Sequence, residues 1–286
     1  MAGLTAYLVW GLVPVFFKQF HGISAVEIIA HRVVWSLLLM GGVLFFGSGY
    51  AQVWSTMRNP RKLARVALGS LMVLINWLIF VYGVNTDQIL ATSLGYFILP
   101  LLNVAIGVMV LGERLRRAQW LAVAFAAAGV LIETLRVGSL PWISLALAGS
   151  FAFYGVLRKQ LAMDSASGLF LETACIAPVA IIYLLWLDHT GVGHFGEAEV
   201  TSALLVASGP VTAIPLLLFA IAARRLPLNT MGFLQYLAPS ISFMVAVLVY
   251  AEPMNLTRSA GFTAIWVGLA IYTLDMWRQS RRSASL

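Results

Sequence analysis

The chain consists largely of apolar runs of about 20 residues, separated by short clusters that hold most of its charge. Such runs leave few possible folds, because backbone polar groups in hydrocarbon must be paired within the protein, as they are in helices. Hydrophobic residues make up 61% of the 286 residues and charged residues only 10%, which excludes an ordinary soluble domain. The sequence therefore predicts an all-α integral membrane protein.

The apolar runs predict ten transmembrane helices, at about 3–20, 24–47, 62–84, 88–111, 117–136, 141–158, 166–187, 199–222, 228–250 and 258–278. Most of the 18 Lys and Arg residues then lie in connections on one side of the membrane. Basic connections face the cytoplasm, so both termini are predicted to be cytoplasmic. Because the basic residues form no single face, the net charge of +7 does not indicate nucleic-acid binding.

One proline-containing run, 94–113, has a counterpart at 233–252. The alignment matches three pairs of residues: Pro100 with Pro239, Glu113 with Glu252, and Gly129 with Gly268. With five spans in each half, residues 1–138 and 139–286 are predicted to be two repeats that insert in opposite orientations. Paired interruptions in inverted repeats indicate a transporter whose substrate binds between the halves.

Several segments together resemble the drug/metabolite transporter superfamily, in particular its ten-helix EamA group and the RarD-type proteins within it. They are WGLVPVFFK (10–18), EIIAHRVVWS (27–36), NWLIFVYGVN (76–85), SLGYFILPLLNVAIG (93–107), LGERLRRAQWLAV (111–123), FAFYGVLRK (151–159) and GFLQYLAPSISF (232–243). The resemblance implies two inverted five-helix repeats, a bacterial inner-membrane location, and export of small metabolites. Relatives in the superfamily export amino acids, including aromatic ones.

The chain departs from the small four-helix multidrug relatives at one position. They carry a membrane carboxylate where this sequence has Trp10, and the second-half counterpart is Phe151. Proton coupling through that carboxylate is therefore not implied here, and a cationic drug lacks its expected counter-ion.

The candidate substrate-binding residues are aromatic and polar side chains within the predicted spans, because buried polar groups in lipid are costly and tend to mark pathways. Aromatic rings with a few polar atoms suit a flat, amphipathic ligand. The rings expected to enclose the apolar part of the ligand are Trp10, Tyr96, Phe97, Tyr154 and Tyr236. The polar groups expected to bind its ends are Asn76, Asn103, Gln235 and Arg32. The alternatives are helix packing for the rings, a helix–helix hydrogen bond for Asn76, and a headgroup contact for Arg32.

Two further pairs of residues are assigned to movement and coupling. Pro100 and Pro239 are predicted hinges, because each removes a backbone donor from its helix. Glu172 and His31 are possible coupling groups, with Arg32 as a candidate partner of Glu172. No acid is expected at the centre of the passage, which favours facilitated transport over obligatory proton exchange.

The favoured function is export of small amphipathic metabolites by alternating access, and the substrates expected first are amino acids, including aromatic ones. A drug or nucleotide-sugar carrier and, less favoured, a membrane-embedded enzyme remain as alternatives. No catalytic residue, metal site or cofactor is expected. Beyond the small-molecule substrate, the lipid bilayer is the only partner expected, and a complete repeat in one chain predicts a functional monomer.

Overall fold

The structure, a computed structural model, has helices as its only regular secondary structure within the part of the chain that it describes. The described residues are 1–47, 49–111, 116–137, 140–161, 163–223, 225 and 234–284. Its helices are α1 (Ala2–Phe17), α2 (Ala25–Phe45), α3 (Tyr50–Met57), α4 (Pro60–Asn85), α5 (Ile89–Leu111), α6 (Arg117–Val137), α7 (Trp142–Leu161), α8 (Ser165–Thr190), α9 (Glu199–Ala223), α10 (Leu237–Met244), which continues as a π-helical turn (Val245–Val249), and α11 (Leu256–Ala284).

The membrane character predicted from hydropathy is confirmed. Helices α2, α4, α8, α9 and α11 are each long and apolar enough to cross a bilayer. Shorter apolar helices lie within α1, α5, α6 and α7, and the segment formed by α10 and its π turn is a further one. The number of spans and the side on which the termini lie stay predictions.

Several helices begin or end at residues whose side chains or backbone conformation favour a boundary there. Ser24 accepts a hydrogen bond from the Glu27 amide at the start of α2. Asn59 precedes Pro60 and accepts from two amides of the first turn of α4. Asp164 caps α8, and Gly191 ends α8 in the left-handed conformation that suits glycine.

Two segments differ from their predicted form. Helix α3 lies in a predicted connection, where its eight residues form a short helix. The span predicted at 228–250 is helical only from 237 onward, apart from the turn at 234–236, and residues 226–233 lie outside the described part of the chain. Its helix also changes from α to π geometry at Val245.

The two predicted hinge prolines occupy different positions in their helices. Helix α5 continues through Pro100, so the predicted interruption of this helix is absent, although the missing Pro100 N–H still leaves the Tyr96 carbonyl without its usual partner. Pro239 lies in the first turn of α10, where a missing N–H costs little. The Ser93 hydroxyl donates to the Pro239 carbonyl at 2.8 Å and thereby joins α5 to α10.

Contacts between the predicted halves occur in reciprocal pairs. Helix α1 packs on α9 and α10. In the repeat, α7 corresponds to α1, α4 to α9 and α5 to α10, and α7 likewise packs on α4 and α5. Helices α2 and α8 pack on each other, and so do α6 and α11. Exchanging the first five predicted spans with the second five therefore leaves this set of helix neighbours unchanged.

The α6–α11 pair is close because glycines face the neighbouring backbone. A Cβ atom added at Gly129 would lie 2.7 Å from the Gly261 carbonyl oxygen and 2.6 Å from Ile265. A Cβ added at Gly268 would lie 2.7 Å from the Ala122 carbonyl oxygen. Small residues permit this approach of two membrane helices.

We expect Gly129→Ala to lower the free energy of unfolding by about 1–3 kcal/mol, because the added methyl group must push α11 away. Gly155→Ala is the matched control, since a Cβ at Gly155 would meet no other atom within 4 Å. Thermal unfolding of both purified variants in the same detergent measures the difference. Equal stability of the two variants would contradict the close packing.

Candidate functional site

A continuous series of aromatic rings crosses from the first predicted half of the chain to the second. Consecutive ring centroids are 5.6–6.2 Å apart, which is within the range of favourable ring contacts. We call this series the ring chain; its members, in order, are Phe17 in α1, Phe80 in α4, Tyr96 in α5, and Phe151 and Tyr154 in α7. The ring chain therefore lies at the interface between the halves, where the sequence predicts the substrate.

Arg32 of α2 is buried at one side of the ring chain, with 8% of its surface exposed. Its guanidinium carbon lies 4.0 Å from the centre of the Trp77 ring and 5.5 Å from that of Phe17. Within the described residues it has no acidic partner, and its buried Nε atom donates no hydrogen bond. Arg32 thus does not extend to lipid headgroups, and the faces of Trp77 and Phe17 contribute to stabilising its charge.

Asn76 joins α4 to α7 and α5. Its amide nitrogen donates to the Leu147 carbonyl at 3.0 Å and to the Ser150 hydroxyl at 3.1 Å, and its oxygen accepts from the Tyr96 hydroxyl at 3.1 Å. Both amide hydrogens are therefore used within the protein. This arrangement corresponds to the helix-joining alternative for Asn76, and it fixes Tyr96 in the ring chain.

Glu172 of α8 lies at the other end of the ring chain and is 1% exposed. One carboxylate oxygen accepts a hydrogen bond from Tyr154 at 3.0 Å, and the other is 3.4 Å from Nη1 of Arg158. The ionic partner of Glu172 is therefore Arg158, and the predicted pairing with Arg32 is wrong. Gly168 leaves room for this contact, since a Cβ there would overlap the Arg158 guanidinium.

His31 precedes Arg32 but points to a different neighbour. Its ring stacks on Phe195, in the connection between α8 and α9, with centroids 5.0 Å apart. In the same connection, His194 binds the buried Glu27 carboxylate through its backbone amide at 2.7 Å and its Nδ1 atom at 2.9 Å. These contacts hold the connection against α2 and separate His31 from the ring chain.

Five of the predicted site residues lie away from the ring chain. Phe97 and Tyr236 line an open, largely apolar groove of about 690 Å³ between α5, α10 and α11, and Gln235 lies beside the Tyr236 hydroxyl. Asn103 is exposed on α5. Trp10 is a separate case, because it contacts the rings of Tyr7 and Phe219 near α9. The structure thus brings together Tyr96, Tyr154, Asn76 and Arg32, but not these five.

The end of the bundle that carries Lys18 is closed by contacts between the halves; we call it the Lys18 end. Glu252 follows the π turn of α10 and accepts hydrogen bonds from the Ile89 and Leu90 amides, at 2.6 and 2.9 Å. A carboxylate at this position satisfies free N–H groups of α5 and interacts favourably with the positive end of its helix dipole. Burial raises the pKa of Glu252, and the two amides and nearby basic groups partly oppose that change.

Further contacts at the Lys18 end surround Glu252. Lys18 forms an ion pair with Asp87, and its ammonium lies 5.5 Å from the centre of the Tyr250 ring. Asp87 and Ala251 both adopt positive φ angles, 58° and 50°, which are uncommon for residues other than glycine. The loop that presents Glu252 therefore adopts a costly backbone conformation to do so. Glu113, its sequence counterpart, lies outside the described residues.

Sequence reasoning missed four residues that complete this arrangement: Trp77, Phe80, Phe151 and Arg158. Trp77 and Phe80 lie one helical turn apart on α4, and their spacing gave a signal that was available in the sequence. Arg158 ends the span predicted at 141–158 and was not a candidate site residue, although the short link from α7 to α8 places it near the beginning of α8.

Comparisons with known proteins agree with this architecture. A model of the EamA-like transporter family matches residues 1–135. The chain is 46% identical over 282 residues to protein RarD of Streptomyces exfoliatus, covering 98% of this chain and 90% of that one. It is 41% identical over 285 residues to protein RarD of Escherichia coli K12, covering 99% and 96%.

A crystal structure of a protein that is only 20% identical has the same fold, with a TM-score of 0.62 and coverage of 97% of both chains. The two RarD proteins are similar over nearly their whole length, so the relationship extends through both halves of the chain. The chain therefore belongs to the EamA-like transporter family, among the RarD-type members of the drug/metabolite transporter superfamily, and is a multi-pass membrane protein.

Proposed function

We propose that this transporter exports small amphipathic metabolites from the bacterial cytoplasm across the inner membrane. The substrates proposed first are amino acids, including aromatic ones. The ring chain would contact the apolar part of the substrate, while Arg32 would bind its carboxylate. The observation that carries this proposal is the buried Arg32 guanidinium, which lies on Trp77 beside the ring chain and has no acidic partner within the described residues.

Alternating access between inverted repeats, 1–138 and 139–286, is the proposed mechanism. The reciprocal helix contacts support it, because halves related in this way can exchange two arrangements about one central site. In the described conformation the contacts of Glu252 with the start of α5 and of Lys18 with the Tyr250 ring hold the halves together at the Lys18 end, which we assign to the outside. All groups of this pathway belong to one chain, so we propose a functional monomer with cytoplasmic termini.

We propose facilitated transport without an obligatory proton. Glu172 is the buried acid nearest the ring chain, and Arg158 and Tyr154 already bind both of its oxygens. His31 is covered by Phe195. A nucleotide sugar would need several cations for its pyrophosphate, but Arg32 is the one cation without an acidic partner beside the ring chain in the described structure.

Transport of labelled amino acids into sealed proteoliposomes tests the proposal. We expect phenylalanine uptake above that of empty liposomes, with and without a pH gradient. Phe151→Ala is expected to lower this uptake about tenfold, because it removes the ring that connects Tyr96 to Tyr154 in the ring chain. Phe153→Ala is the matched control on the same helix, since Phe153 is 58% exposed and outside the ring chain.

Two results would count against the proposed function. Uptake no higher than in empty liposomes for any amino acid would oppose amino-acid transport. Uptake that strictly requires a pH gradient would oppose the facilitated mechanism while leaving the substrate class in place.

A further inference from the structure

We propose that this transporter recognises the carboxylate of its substrate and not the ammonium group. The preferred substrates would then be monoanionic carboxylates with an apolar or aromatic body, and amino acids would bind through their carboxylate alone. This inference rests on the proposed function and narrows the substrate class of the same site.

The first support is the charge of the site. Arg32 contacts Phe17 of α1 and Trp77 of α4, and these neighbours carry no charge. Of the buried acids described, Glu172 binds Arg158, Glu27 binds His194, and Glu252 binds the start of α5. The site beside the ring chain therefore holds one unbalanced positive charge within the described structure.

The second support is the unused hydrogen-bonding capacity of Arg32. A guanidinium has five N–H donors in a planar fork, which matches the two oxygens of a carboxylate. The Nε donor of Arg32 is buried and donates no hydrogen bond, which is unfavourable, and the aromatic faces compensate for only part of that cost. A bound carboxylate would supply both the missing charge and the missing acceptors.

The third support is that three side chains suited to an ammonium, those of Trp77, Glu172 and Asn76, already have partners within the described structure. The Trp77 face, a possible cation-binding surface, is already covered by Arg32. The Glu172 carboxylate is occupied, and the Asn76 oxygen already accepts from Tyr96. An ammonium close to the carboxylate of the same ligand would also be repelled by Arg32. The described geometry thus favours a ligand that has a carboxylate and no ammonium group.

Three ligands with the same phenyl group distinguish recognition of the carboxylate from recognition of the ammonium. The compound 3-phenylpropanoate has only the carboxylate, L-phenylalanine has both groups, and L-phenylalaninamide has only the ammonium. Binding is measured on the full-length protein in detergent, from the ligand-dependent rise in thermal unfolding temperature. Because this readout needs no membrane barrier, passive permeation of the ligands does not affect it.

We expect 3-phenylpropanoate to bind at least about tenfold more tightly than L-phenylalanine, and L-phenylalaninamide to give no shift. Arg32→Gln is expected to abolish the shift, and Arg32→Lys, which retains charge without the planar fork, to weaken it. The comparison of ligands on the unaltered protein remains decisive even if these variants fold poorly.

The outcomes distinguish this inference from the proposed function. Binding of L-phenylalanine with no binding of 3-phenylpropanoate, or binding of L-phenylalaninamide, would overturn carboxylate recognition while proteoliposome uptake could still establish transport. No shift with any of the three ligands would also overturn it. Binding in the expected order without uptake of any labelled ligand would support carboxylate recognition and contradict the proposed transport.

Discussion

Replacing Arg158 with methionine is expected to lower the free energy of unfolding by about 3–5 kcal/mol, the range observed when one partner of a buried ion pair is removed. Glu172 is 1% exposed. In the variant, the Tyr154 hydroxyl is the side-chain partner of Glu172 that remains among the described residues. An ionised carboxylate in that environment is strongly unfavourable, and taking up a proton to avoid the charge also costs free energy at neutral pH. Thermal unfolding in detergent, followed by tryptophan fluorescence, measures the loss.

Two comparisons make this prediction specific to the buried pair. The double variant Arg158→Met with Glu172→Met should recover most of the lost stability, because apolar side chains can replace a buried pair at little cost. Arg116→Met, which breaks the partly exposed pair with Asp275, should cost less than about 1 kcal/mol. A double variant that is less stable than Arg158→Met would show that the charge of Glu172 is not the cause.

Replacing Glu252 with alanine is expected to open the Lys18 end. The change leaves the amides of Ile89 and Leu90 without their acceptor, and both residues are at most 1% exposed. Each buried N–H without a partner costs about 1–3 kcal/mol, so the closed arrangement should lose about 2–6 kcal/mol relative to one in which water reaches these two groups. A loss of that size shifts the population of two conformations by a factor of about 30 or more.

Labelling of a buried cysteine measures this opening. Val84→Cys in a Cys175→Ser background places a thiol at a residue that is fully buried near the Lys18 end. In intact cells, a membrane-impermeant maleimide should label it much faster when Glu252 is alanine. Glu199→Ala is the control, because Glu199 is an exposed acid at the start of α9. Unchanged labelling in Glu252→Ala would contradict a closing role for this carboxylate.

Much of the helical architecture could be predicted from hydropathy, because lipid requires each spanning segment to satisfy its own backbone groups. The predicted segments at 88–111 and 117–136 agree with α5 and α6 to within one residue at each end. Helix α3 was missed because its eight residues are too few to give a hydropathy signal. The continuity of α5 at Pro100 was also missed, since packing against α7 and α10 can retain a helix that lacks one hydrogen bond.

The residues of the site were harder to predict than the helices. The sequence indicated Arg32, Asn76, Tyr96 and Tyr154, but not that Asn76 uses its hydrogens on Leu147 and Ser150. The repeat alignment suggested Arg32 as partner of Glu172, whereas Arg158 is the partner. An alignment of repeats identifies equivalent positions and does not show which side chains touch. Phe97 and Tyr236 are aligned with each other, and both line the groove rather than the ring chain.

The π turn at Val245–Val249 determines where the chain after it points. A π turn accommodates one residue more than an α turn, and each residue of a helix rotates the chain by about 100°. Deleting one residue from this turn would restore α geometry and direct the Glu252 carboxylate away from the amides of Ile89 and Leu90. The length of a five-residue segment therefore controls whether the two halves are joined at this end, without any change in the chemical groups that meet there.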